Sequence, residues 1–249
     1  MPLLGVIPAR LASSRLPRKP LLPLAGEPLI VRVARRLAEL ALCDRLVVAT
    51  DAREIVDVVT RAGYEAVLTA AGHESGTERV AEVARRPAFH EFDVIVNVQG
   101  DEPFVPAAAV RGAVARVSAE TPIGTAAAPL DAALAGDPAR VKVVVDPRGR
   151  AVYFSRAPIP SDRDGRGAAA YRQHIGVYAY TRDALERWVR LPPVPEETWE
   201  RLEQLRPLLH GVAIGVVLLD EAVAPGIDTP ADLAWAEAHV HRQLKEVSR

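Results

Sequence analysis

Apolar positions along this chain alternate between short runs and helical stripes. Leu3, Leu4, Val6 and Ile7 form a run suited to a strand buried on both faces of a parallel sheet. Pro8 has no N–H, so the backbone is expected to leave the sheet there, at the strand's carboxyl end, where open α/β sheets bind ligands. Leu29, Ile30, Val33, Leu37, Leu40 and Ala41 then recur at helical spacing behind Pro28, with Arg32, Arg35, Arg36 and Glu39 between them. Arg45 to Asp51 reads as a second buried strand, Ile55, Val58 and Val59 mark a helix closed by Gly63, and Ala66 to Thr69 is a short strand. His73 to Arg86 starts as a loop and becomes a helix striped by Val80, Val83 and Ala84, with Thr77 as its candidate N-cap. Val94, Ile95, Val96 and Val98 form a central strand. Alternation at this pace predicts a parallel sheet with right-handed crossovers.

The second half departs from that rhythm. A helix is predicted over Pro106 to Val117 and a strand over Ile123 to Pro129. VKVVVD and AVYFSR, split by a turn at Pro147 to Gly149, predict a β-hairpin, which does not belong to a parallel alternation. Tyr171 to Tyr180 returns as a strand, Glu196 to Gly211 reads as helical up to Pro207, and Val212 to Leu219 is a last strand. A final helix follows Asp228, capped by Thr229 or its neighbours, with Pro230 in the first turn. Trp188 and Trp199 are expected in a core or an interface. The organisation is one domain over 1–249, with 125–190 as a mixed β subdomain.

Composition narrows the class. With 249 residues, 49% hydrophobic and 25% charged, the chain can bury a full core. A formal net charge of −1 leaves no polycationic face for nucleic acid or an anionic membrane. No apolar stretch approaches the roughly 20 residues of a membrane span and no signal-peptide order is seen, so a cytosolic protein is expected. Cys43 is the only cysteine, which excludes an intramolecular disulfide and a Cys-cluster metal site. Met1 and Asn97 are likewise single of their kind, a depletion shared by thermophilic sources and GC-rich coding.

Charge becomes chemistry in the loop after the first strand. Arg10, Arg15, Arg18 and Lys19 follow Pro8 with no acid before Glu27, among Ala9, Ala12, Ser13, Ser14 and the prolines 17, 20 and 23. Such a loop can hold a triphosphate with little ordering cost; it also reads as a solvated basic loop, and its place after the first buried strand favours the phosphate. No GxGxxG follows this strand and no GxxxxGK[ST] occurs, which argues against an NAD-type dehydrogenase. Ser75 and Gly76, just before a helix, suit a base, a phosphate or an ordinary cap. Gln99, Gly100, Asp101 and Glu102 end the central strand, and carboxylates beside a triphosphate loop suit a hard divalent cation, usually Mg²⁺. Taken alone, His174 reads as a structural histidine and Asp228 as a helix cap.

IPARLASSRLPRKPL, VVATD, HESGTERVAEV, NVQGDEP, YFSRAPIPSDRD, QHIGVYAY, LEQLR and PGIDTPADL occur in the order and spacing of the 3-deoxy-manno-octulosonate (Kdo) cytidylyltransferase family, which the chain resembles over nearly its whole length. The resemblance implies a nucleotide-diphospho-sugar transferase fold, Rossmann-like, with a mostly parallel sheet, helices on both faces and a smaller mixed-sheet excursion serving dimerisation and the sugar site. It implies a homodimer that transfers CMP from CTP to Kdo with Mg²⁺, for lipopolysaccharide-type envelope synthesis. By the same resemblance, Arg10, Lys19, Asp101 and Asp228 are catalytic, the two aspartates as metal ligands. Ala9, Arg10, Arg15, Lys19, Ser75 and Gln99 bind CTP, while Arg79, Arg156, His174, Tyr178, Glu203 and Gln204 bind the sugar, with Arg156 first in line for its carboxylate. Gln173 departs from the basic residue expected before His174. Alternative acceptors are a sialic-acid-like sugar, 8-amino Kdo or a methylerythritol phosphate, and an alternative class is a sugar-nucleotide binder without turnover.

Overall fold

The computed structural model describes residues 1–13, 15–165 and 170–247, with side chains up to 242; Ser14 lies outside the described residues. Its centre is one sheet in the order β11-β7-β10-β6-β1-β4-β5. These are β1 (Leu3–Ala9), β4 (Arg45–Thr50), β5 (Glu65–Leu68), β6 (Val94–Val98), β7 (Ile123–Leu130), β10 (Tyr171–Thr181) and β11 (Ile214–Leu218). A two-residue ribbon, β2 (Pro23–Leu24) with β3 (Glu27–Pro28), closes the first loop. Pairing is parallel except at β10, which runs antiparallel to both β6 and β7.

The apolar runs make the strands, because strands covered on both faces have no polar side to show. Leu4, Val6, Ile7, Val47, Val48, Ile95 and Val96 are all fully buried. One face is covered by α1 (Leu29–Leu40), α2 (Arg53–Arg61), α4 (Ala107–Ala115) and α8 (Pro230–Val247), through Ile30, Val33, Leu37, Ile55, Val59, Val110 and Ala236. The other is covered by α3 (Gly76–Ala84), α5 (Arg182–Arg190) and α7 (Leu205–Leu209), through Val80, Val83, Leu185, Trp188 and Leu205. Each such valine, leucine or isoleucine contributes about 1.5–3 kcal/mol on burial. Among the described residues no helix is long and apolar enough to cross a membrane.

Small residues set the spacing on one side. A Cβ on Gly124 would lie 1.9 Å from the carbonyl oxygen of Ala113, and one on Gly112 would lie 2.5 Å from Val217. The alanine- and glycine-rich α4 therefore lies directly on β7 and β11.

Several predicted boundaries move. β1 runs through Pro8 to Ala9: its ladder to β6 stops at Val6, while that to β4 continues to Ala9, so proline releases one neighbour rather than ending the strand. The N-cap of α3 is Ser75, not Thr77; extended backbone there (φ −129°) lets Oγ accept from the Glu78 N–H at 3.2 Å. The single helix predicted up to Pro207 is two. α6 (Pro195–Glu200) ends where Arg201 turns left-handed (φ 52°), and Pro207 is tolerated in the first turn of α7, whose N–H groups have no intrahelical acceptor. Trp188 is in the core, whereas Trp199 on α6 is 77% exposed. Within 125–190, β7 and β10 belong to the main sheet, and what branches off is the hairpin β8 (Lys142–Val145) and β9 (Ala151–Ser155), joined to β10 by Gln173 opposite Lys142.

Candidate active site

The carboxyl ends of β1 and β6 and the loop into α8 meet over a cavity of about 710 Å³. Of the residues singled out in the sequence, Ala9, Arg10, Arg15, Lys19, Ser75, Arg79, Gln99, Asp101, Glu203 and Asp228 line it. Local geometry explains the gathering. Arg18 takes a left-handed conformation (φ 58°) that starts one 3₁₀ turn at Lys19. Gly100 is required because a Cβ there would lie 2.8 Å from the Pro8 carbonyl oxygen, so the QGDE turn rests on the end of β1. The Ile227 N–H donates to the Asp101 carbonyl at 2.9 Å and ties the two aspartate loops together.

At the centre, Lys19 Nζ donates to Asp101 Oδ2 at 2.6 Å and to Asp228 Oδ1 at 2.9 Å, and Arg15 Nη2 donates to Asp228 Oδ2 at 3.0 Å. Burial alone would lower the Lys19 pKa, but the two carboxylates outweigh it and hold the ammonium above its ordinary range. Burial would raise the Asp228 pKa, and Lys19 and Arg15 reverse that, holding it low. Glu102, named in the sequence with the strand-end carboxylates but given no binding role, is half-buried beside this pair; burial and the Asp101 charge push its carboxyl up to about 8. Its signal in the sequence was only its place in the acidic turn.

Among the described residues no group of three or more His, Cys, Asp or Glu side chains is set to hold a metal. Two carboxylates closed around one cation are a different arrangement. Asp101 and Asp228 offer hard oxygens that already hold an ammonium between them, so together they would fit a hard divalent cation such as Mg²⁺.

The other wall comes from the start of α3 and from α6 and α7. His73 Nε2 lies 2.6 Å from Glu82 Oε2, and the Arg206 guanidinium meets the Glu197 carboxylate with two bonds of 2.8 Å. His73, Glu197 and Arg206 all line the cavity. The i, i+4 spacing of Glu78 and Glu82 on α3 was the available hint for His73. Arg79 is 3% exposed and bound to Asp51 at 3.1 Å, so it braces α3 against β4. Burial raises the Glu203 pKa, and its Oε2 has no hydrogen-bond partner among the described residues.

His174 faces a second cavity of about 160 Å³ that shares Gln99, Asp101 and Asp228 with the first. Its Nε2 is 3.0 Å from Thr125 Oγ1, and that hydroxyl gives its one proton to the Val177 carbonyl at 2.6 Å. Nε2 must therefore carry the hydrogen, and burial pushes the ring pKa down to about 3, so His174 is a neutral donor. Tyr178, Gln204 and Arg156 line neither cavity. Tyr178 is stacked on Tyr180 with ring centroids 5.8 Å apart, and Gln204 is buried. The Arg156 guanidinium is taken by the carbonyls of Glu200 (2.7 Å), Pro138 (2.7 Å) and Arg201 (3.3 Å).

A sequence profile of the cytidylyltransferase family matches residues 4–214. The chain is 54% identical over 244 residues to the 3-deoxy-manno-octulosonate cytidylyltransferase of Gemmatimonas aurantiaca, covering 96% of this chain and 94% of that protein. It is similar, with a TM-score of 0.89 and 39% identity, to the CMP:2-keto-3-deoxy-manno-octonic acid synthetase solved in complex with CTP, over 98% of this chain and 100% of that one. A putative glucose-1-phosphate thymidylyltransferase from Bacillus anthracis, in complex with sucrose, shares the fold alone: TM-score 0.66 and 17% identity over 95% of this chain and 94% of the other.

Proposed function

Because the chain belongs to the cytidylyltransferase family, as a relative of its 3-deoxy-manno-octulosonate cytidylyltransferases, we propose that it transfers CMP from CTP to Kdo, releasing pyrophosphate. It is a nucleotidyltransferase enzyme. The observation that carries the finer reading is Lys19 clasped between Asp101 and Asp228, where a larger and a smaller cavity meet.

In this reading CTP occupies the larger cavity. Arg10, Arg15 and Lys19 hold its phosphates, and Ser75 and Gln99 border the cytosine or ribose. The acceptor sits so that its anomeric hydroxyl reaches the α-phosphate at the junction of the cavities. Asp101 and Asp228 would hold Mg²⁺, which when bound supplies charge to polarise the phosphoryl group and lower the pKa of the acceptor hydroxyl. As the triphosphate enters, Lys19 exchanges carboxylate partners for phosphate oxygens, and the loop cations hold the charge of the departing pyrophosphate. Neutral His174 donates a hydrogen bond and takes no proton. Arg79 supports the wall through Asp51, and Glu203 borders the sugar from the cavity wall. A homodimer, a cytoplasmic location and a role in lipopolysaccharide-type synthesis complete the proposal.

The test is Asp101→Asn, assayed for pyrophosphate release with CTP, Mg²⁺ and Kdo, alongside a panel of other acidic sugars. A drop of about 100-fold or more with intact folding is expected, because a charge stabiliser of the transition state is lost. Turnover near that of the wild type would end the metal assignment.

A further inference from the structure

A Kdo acceptor brings a carboxylate on the same carbon as the hydroxyl that attacks, so that carboxylate must lie beside the Asp101–Asp228 junction. Neither cation expected for it is available. Arg156 is committed to three backbone carbonyls, and position 173, where a basic residue was expected, is glutamine.

The glutamine points to the replacement. Gln173 Oε1 accepts from Arg140 Nη1 at 2.9 Å, and Arg140 comes from the loop before β8 rather than from β10. Its Nε is buried without a hydrogen bond and forms an ion pair with the Asp137 carboxylate at 3.6 Å, and among the described residues Nη2 makes no hydrogen bond. That leaves the second Nη1 hydrogen and both Nη2 hydrogens, an end-on fork for a carboxylate. The loop carrying it is pinned, since buried Lys142 donates to the carbonyls of Asp137 (3.0 Å), Arg140 (2.6 Å) and Arg156 (2.6 Å). Arg140 and Gln173 both line the smaller cavity, with His174 on its wall and Asp101 and Asp228 at its mouth.

Resting on Kdo as the acceptor, we propose that Arg140, oriented by Gln173, binds the acceptor's carboxylate and selects sugars that carry one. The test is Arg140→Gln, with Kdo and its methyl ester as acceptors. The KM for Kdo should rise about 10- to 100-fold, as for loss of a hydrogen bond to a charged group, with the KM for CTP and the melting temperature unchanged. The wild-type preference for Kdo over the ester should disappear, and R140Q/Q173R, which returns the guanidinium from β10, should recover it. Should R140Q fail to fold, Arg140→Lys should still raise the Kdo KM several-fold. A Kdo KM within about twofold of wild type in the folded variant would overturn the inference alone, whereas a wild type that does not turn over Kdo would overturn the acceptor assignment and the inference with it.

Discussion

Replacing Lys19 with methionine leaves the Asp101 and Asp228 carboxylates facing each other with no ammonium between them. The perturbation is well defined, because Nζ stands 2.6 and 2.9 Å from the two carboxylates and the Lys19 side chain is 16% exposed. Breaking a fully buried pair costs about 3–5 kcal/mol, and an exposed one under about 1. With Asp101 26% and Asp228 33% exposed, the expected loss is about 1–2 kcal/mol, or roughly 2–8 °C in Tm for a chain of this size. A lysine whose folded pKa lies above its unfolded value contributes fully below the unfolded pKa and loses that contribution only as pH rises through the folded one. At pH 7.5 the whole effect is therefore present. Mg²⁺ should repair it: an ion that binds only the folded state adds about 2.7 kcal/mol at 100 times its Kd. Thermal melts of both proteins with and without Mg²⁺ decide the matter. K19M should start lower and gain more from Mg²⁺ than the wild type. Equal starting temperatures, or equal gains, would show that the two carboxylates are not a cation site.

His174→Gln should leave the shape of the kcat/KM profile between pH 5 and 9 unchanged, since the ring is neutral throughout; a vanished limb would mean that the histidine does carry a proton in turnover. The same depressed pKa means that the unfolded chain binds more protons below about pH 6.5, so stability falls on acidification from there towards pH 3, by up to about 1.4 kcal/mol per unit. H174Q should flatten that slope in denaturant titrations at pH 6.5 and 5. Gly124→Ala places a Cβ 1.9 Å from a backbone oxygen of α4 and should cost more than about 4 kcal/mol, while Gly136→Ala, with nothing within 4 Å, should melt with the wild type.

The parallel half of the fold was legible because strands buried on both faces and helices buried on one leave different periods in the sequence. β1, β4 and β6 and helices α1 and α2 needed nothing else. The place of β10 was not legible. An apolar strand reads the same whether it runs parallel or antiparallel, and its insertion between β6 and β7 depends on the return path of the chain. Capping at Ser75 rather than Thr77 was a choice between neighbouring hydroxyls that only backbone angles settle. The capture of Arg156 by three carbonyls was invisible for a related reason: backbone acceptors belong to every residue, so a sequence does not mark where they converge.

The cationic loop shows why local charge and whole-chain charge must be reasoned about separately. Arg15 and Lys19 rest on Asp228 and Asp101, Arg18 on Glu54 and, behind them, Arg79 on Asp51. The loop that reads as strongly positive is thus largely neutralised by acids distant in the sequence, which is how so basic a loop coexists with a net charge of −1. Arg10, exposed on the cavity rim, makes no ion pair among the described residues. On the proposed reading, it is the cation that an arriving polyphosphate would meet without first displacing a carboxylate. On that reading, the paired lysine and arginine would become available only as those carboxylates gained another cation, which would couple nucleotide and metal binding through the same two aspartates.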